Sequence, residues 1–194
     1  MDSAWETVVS TIRDRRSNLN VDPERPVPRE LVDQLLDLAT WAPNHYRTNP
    51  WRFVVLTGPA RARVGEIAAR ALQAAGQPEA KESIVERQRT QFLRAPAVIV
   101  AASAPDEDPI KHVENKHAVA AGVQNILLGA QAAGLAGAWR SGLAMTDPEV
   151  SGPVKEALGL DPGDEIVSFV YLGYPIAPPG TRQKPPAVVR YLDS

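Results

Sequence analysis

The chain has 194 residues, enough for one domain that buries roughly 70% of its unfolded surface. A formal net charge of −2 gives no electrostatic basis for binding nucleic acid or an anionic membrane surface. Cysteine is absent, which excludes disulfide frameworks, thiolate nucleophiles and cysteine zinc sites, and is compatible with a reducing cytosol.

From Met1 to Glu6 there is neither the basic region nor the apolar stretch of a signal peptide. No apolar run approaches the roughly 20 residues that span a bilayer. The expectation is a soluble, cytoplasmic protein with no nucleic-acid or membrane partner. Ser3 and Glu6 match a capping box, Ser3 as N-cap, and Trp5, Val8, Val9 and Ile12 recur at helical spacing to about Asp14. That helix delivers Arg15-Arg16-Ser17 to its C-terminal end. Asn18 to Pro28 reads as an extended connection. Pro28 then sits in the first turn of a second helix, whose apolar stripe is Val32, Leu35, Leu36 and Ala39. Pro43 stops it. The polar loop Asn44 to Asn49 follows, and Trp51 to Leu56 reads as a strand closed by Gly58-Pro59.

A third helix carries Val64, Ile67, Ala68, Ala71 and Leu72 on one face, up to Gly76-Gln77-Pro78. Pro78 to Leu93 reads as a polar helix with few anchors (Ile84, Val85, Phe92), a peripheral solvated face or a lid. Ala97 to Ala102 is uninterrupted and apolar, as expected of a strand covered on both faces. After an acidic loop from Ala104 to Pro109, a long helix is expected from about His112 to Ala133, capped by Gly134. Its half from Ala118 to Ala133 is apolar almost all round, which fits a subunit interface. A short strand at Ala136 to Trp139 leads into Arg140-Ser141-Gly142, Asp147-Pro148 starts another helix, and Ile166 to Leu172 is the last strand. The tail from Pro175 holds five prolines, with Arg182 and Lys184 among them. Residues 1–194 read as a single domain with 176–194 as a Pro-rich extension. The element order indicates a layered α/β or α+β sandwich with helices over both sheet faces.

The sequence lacks most of the motifs that carry chemistry. Three histidines are present, and His112 and His117 are five apart, off one helical face, so no metal site is expected. Gly-x-Ser-x-Gly, the dinucleotide fingerprint and the Walker loop are all missing. No catalytic side chain is assigned, and an enzyme of this composition has to borrow its chemistry from a cofactor. Four donor clusters fit an anionic, flat one. Arg15, Arg16 and Ser17 offer two guanidinium forks and a hydroxyl. The loop from Asn44 to Asn49 offers amides and an imidazole, Trp139-Arg140-Ser141 an aromatic wall beside a charge, and Arg182 and Lys184 further cations. Each has a plainer reading: the two arginines as helix C-terminal caps, Trp139 as core, the loop as a helix-to-strand connection.

Arg15-Arg16-Ser17 after an N-terminal helix, Ala42-Pro43 followed by Asn49-Pro50-Trp51, and Gly137-Ala138-Trp139-Arg140-Ser141-Gly142 together resemble the flavin-dependent nitroreductase family, over nearly the whole chain. The resemblance implies an α+β three-layer sandwich with a central, mostly antiparallel sheet flanked by helices, and an intertwined homodimer. It implies FMN at the subunit interface and NAD(P)H as co-substrate. Arg15, Arg16 and Ser17 would grip the phosphate, ribityl chain and pyrimidine side, with Trp139, Arg140 and Ser141 returning from the same chain. Trp41 and His45 would come from the other subunit. The stretch from Gly129 to Gly134 resembles the segment linked to NAD(P)H, and Arg182 and Lys184 a phosphate-binding pair. The implied activity is hydride transfer from NAD(P)H through flavin N5 to a small electron-poor acceptor, a nitro compound or quinone. Same-fold alternatives are dehalogenation, azoline oxidation, flavin breakdown or a non-catalytic flavin-binding subunit. This chain departs from the family pattern at Asn49, where many members have glutamine, at Asn18-Leu19, where a basic residue is usual, and at Trp41, where a close relative pattern has arginine.

Overall fold

The computed structural model describes residues 3–76 and 81–192. Its elements run α1 (Ser3–Asp14), α2 (Arg29–Thr40), β1 (Trp51–Thr57), α3 (Pro59–Ala74), α4 (Glu82–Thr90), β2 (Ala97–Ser103), α5 (Pro109–Ala132), β3 (Ala136–Arg140), α6 (Leu143–Thr146), α7 (Pro148–Leu158) and β4 (Glu165–Gly173). Two 3-10 turns lie at His45–Arg47 and Gln91–Arg94. Each strand falls where the sequence reading puts it. The α6 turn and both 3-10 turns are too short for periodicity to register.

The apolar run at Ala97 explains the architecture. All seven residues of β2 are buried, and alternate side chains enter different cores. Val98, Val100 and Ala102 join Phe169 and Tyr171 of β4 beneath α3, α4 and α7. Ala97, Ile99 and Ala101 join Val170 and Leu172 beneath α2 and α5. The sheet order is β1-β2-β4-β3 and every pairing is antiparallel. This is the α+β sandwich expected from the resemblance.

Local signals work at most boundaries. Asp108 accepts from the Ile110 N–H at 2.9 Å and Asp147 from the Glu149 N–H at 3.0 Å, each ahead of a first-turn proline. Gly134, at φ +74°, ends α5 in the left-handed region. Ser3 differs from its expected N-cap position, since α1 already includes it.

The larger correction concerns the polar segment before β2. Residues 77–80 lie outside the described part; from Glu82 onward the segment is anchored, not peripheral. Val85, Gln88 and Phe92 are buried, and Phe92 meets Phe169 edge-on at 5.2 Å. Gly65 of α3 lets the α4 backbone come so close that a Cβ there would sit 2.1 Å from the Arg89 carbonyl oxygen. Glu66 joins the two helices through Arg89 at 2.8 Å. Among the described residues no helix is long and apolar enough to cross a membrane.

Candidate functional site

The connection after α1 is sewn to the edge of the sheet. Ser17 forms a parallel bridge with Gly137 of β3, and the Asn18 N–H donates to the Gly137 carbonyl at 3.3 Å. Asp22 N–H donates to the Tyr174 carbonyl and Ile176 N–H to that of Asn20, both at 2.9 Å, so the chain leaving β4 runs beside it. This brings Arg182 of the tail near Arg15, beside Arg16 in the chain. Burial, then Arg16, then Arg182 pull the Arg15 pKa below its ordinary value. Among the described residues none of the three has a carboxylate within salt-bridge distance. Arg16 also turns one guanidinium nitrogen onto the carbonyls of Arg13 and Arg15, so its plainer capping role is present too. Clustered cations without counter-charges are suited to an anion.

From Gly137, β3 runs three residues to Arg140, about 10 Å at roughly 3.3 Å per residue. Trp139 is about one-third exposed. Arg140 and Ser141 open into a cavity of 360 Å³ shared with Arg87, Gln91, Arg94 and Tyr171, and among the described residues no carboxylate lines it. Burial pushes the Tyr171 hydroxyl up to about 12, against the pull of Arg140 and Arg94. Sequence reasoning missed Arg87, Gln91 and Arg94, having treated their segment as a solvated face. The signal was in the spacing. These three recur at i, i+4 and i+7, while Val85 and Phe92 are buried on another side and Gln88 is buried at the edge of the cavity.

Trp41, 78% exposed, caps the end of α2, its indole N–H 3.3 Å from an Asp37 carboxylate oxygen. It borders an apolar groove of 400 Å³ with Val8, Ile12, Leu38 and Gly129. His45 opens the following turn, its Nδ1 at 2.7 Å from Glu114 of α5. The loop is tightly specified. Asn44 accepts from the Asn49 N–H at 2.9 Å and donates to Thr48 at 3.0 Å, and the Thr48 hydroxyl donates to buried Asn115. Tyr46, Arg47 and Asn49 have φ of 63°, 53° and 50°. Such left-handed residues cost of order 1–3 kcal/mol each and persist where surrounding structure over-determines them.

The chain by itself does not assemble these groups into one site. His45 sits on Glu114 near the start of α5, whereas Arg16 shares a cavity with Gln131 and Gly134 at its far end. Seventeen helical residues separate those ends, about 25 Å at 1.5 Å each. Among the described residues no group of three or more His, Cys, Asp or Glu is placed to hold a metal ion.

Fold and site define an α+β sandwich protein with a cluster of arginines at one sheet edge and a cationic cavity one strand-length away. The profile of the nitroreductase family matches residues 12–174, and the chain belongs to that family. YdjA of Escherichia coli strain K12, provisionally named an NAD(P)H nitroreductase, is 32% identical over 152 residues, 77% of this chain and 79% of its own length. A nitroreductase-like family protein from Bacillus cereus superposes with a TM-score of 0.77 at 28% identity, over 92% of this chain and 91% of that one. A nitroreductase with bound FMN from Bacteroides fragilis gives 0.75 at 21% identity, over 96% and 98%.

Proposed function

We propose that the chain is one subunit of an FMN-dependent, NAD(P)H-oxidising homodimer that reduces a small electron-poor acceptor such as a nitro compound or quinone. The observation that carries this reading is the pair of anion-competent features on one strand: carboxylate-free cations around Arg15, and the cationic cavity at Arg140. A phosphate-bearing cofactor with a polar ring fits both. FMN, when bound, supplies the two-electron hydride chemistry that no side chain here offers.

In this reading Arg15, Ser17 and, secondarily, Arg16 hold the phosphate and ribityl chain, with Arg182 and Lys184 adding charge from the tail. Trp139 walls the ring, and Arg140 and Ser141 donate to its pyrimidine edge, where positive charge favours electron uptake. The stretch from Gly129 to Gly134 is the candidate NAD(P)H contact. Trp41 and His45 serve the site of a second copy, since about 25 Å of α5 keeps His45 from the Arg15 of its own chain. The α1 surface supports the dimer: α1 buries none of its residues, and Trp5, Val8 and Ile12 are all at least half exposed. An apolar stripe of that kind calls for a partner. We read residues 1–194 as one FMN-binding domain with 176–194 as its extension, working in the cytoplasm without nucleic acid or membrane.

Purified protein incubated with FMN and desalted is expected to keep visible flavin absorbance, and anaerobic NADH or NADPH should bleach it. Colourless protein would sink the proposal. Bound flavin that neither dinucleotide bleaches would move it to the same-fold alternatives, dehalogenation, azoline oxidation, flavin breakdown or simple flavin carriage.

A further inference from the structure

Tyr46 is an unusual place for a tyrosine. Its ring stacks on His45 with centroids 3.8 Å apart and planes 24° from parallel, yet the residue is 53% exposed. Its hydroxyl has no hydrogen-bond partner among the described residues. Its backbone lies at φ +63°, which asparagine or glycine adopts far more readily. The loop around it is pinned by Asn44, Thr48 and Asn115, and His45 beneath it is fixed by Glu114. Neither burial nor hydrogen bonding explains the ring. What it offers is a rigid, electron-rich plane directed at solvent beside a residue assigned above to the flavin site of a second copy.

We propose that Tyr46 is a specificity-determining residue of the acceptor site, the platform on which a planar, electron-poor aromatic acceptor stacks. This rests on the shared flavin site proposed above. The electrostatics of the ring support the ligand class. The Lys111 ammonium lies 5.3 Å from the Tyr46 centroid, so a cation already samples the negative π face. The same face attracts an electron-deficient ring. Lys111 has a flexible stem and can yield that position while turning its charge to a nitro or carbonyl oxygen at the edge of the acceptor. The strained backbone keeps the plane in place before the acceptor arrives, which lowers the ordering cost of binding.

The test uses the FMN-loaded dimer and two variants. Tyr46→Asn removes the ring with a residue that tolerates the left-handed backbone, and Tyr46→Phe keeps the ring. The readouts are the rate of reoxidation of NADH-reduced enzyme by 4-nitrobenzoate relative to ferricyanide, which is not planar, and calorimetric binding of 4-nitrobenzoate to oxidised enzyme without NADH. For Tyr46→Asn the nitrobenzoate-to-ferricyanide ratio should fall about five- to tenfold, the scale of one aromatic stack, with a matching rise in the nitrobenzoate dissociation constant. Tyr46→Phe should keep both. An unchanged ratio in Tyr46→Asn overturns the proposal and leaves the flavin site standing. Loss of flavin or of folding in Tyr46→Asn puts the residue in the cradle and overturns it as well. A wild-type protein that binds no FMN refutes the underlying function instead.

Discussion

Arg15 and Arg16 are adjacent in the chain and do different work. Arg16 spends donors on the carbonyls that end α1, whereas Arg15 is half-buried among cations and has no carboxylate within salt-bridge distance among the described residues. Arg15→Ala is therefore expected to weaken FMN binding by roughly 1.5–3 kcal/mol, the range for a hydrogen bond to a charged group, or about ten- to a hundredfold. Fluorescence titration measures it. The thermal midpoint of the FMN-free variant should stay level or rise, because the substitution relieves repulsion from Arg16 and Arg182. A lower midpoint would make Arg15 a structural residue. At this scale the types of residue were legible in the sequence, two guanidiniums and a hydroxyl, donors suited to a phosphate. Which of the two arginines stays available was not, because that depends on the turn of the chain after Asp14.

Among the elements, α5 and β4 meet at a small ionic network. Glu165 opens β4 and accepts from His112 at 2.6 Å and Lys116 at 3.0 Å, four residues apart on one face of α5. Burial raises the Glu165 pKa, but the bonds from Lys116 and His112 outweigh it and the net shift is downward. A carboxyl lowered in the folded state contributes stability above its unfolded pKa, about 4.3, and loses it as pH falls through the lower folded value. Glu165→Gln should therefore narrow the gap between the stabilities at neutral and at acid pH, chiefly by lowering the former. Urea unfolding at several pH values reads this directly, and a parallel downward offset at all pH values would contradict it. Periodicity exposed α5 and the buried β2 because their patterns are long and repeat. It failed at α4, where two buried residues among many charges look like a solvated helix until α3 supplies the surface they pack on.

For the whole molecule, the half-exposed face of α1 and the length of α5 both support the proposed dimer. Val8 borders the apolar groove and lies outside every proposed flavin contact. Val8→Glu would bury an unpaired carboxylate in that interface. It should shift the protein to monomer in sedimentation and lower flavin content in parallel, because Trp41 and His45 would no longer reach the second site. A monomer that keeps its FMN would refute the shared site.

The sequence by itself determined the four strands, the longer helices with the caps at Asp147 and Gly134, and the kind of donor groups available. Each of these is written in neighbouring residues, as a period, a cap or a cluster of donors. Only the tertiary structure decided which clusters meet. Ser17 finds Gly137 across 120 positions, Arg182 returns to Arg15 from the tail, Arg87 turns toward Arg140, and His45 is carried away along α5. Such meetings depend on strand order and on which helix face is covered, and no local pattern encodes either.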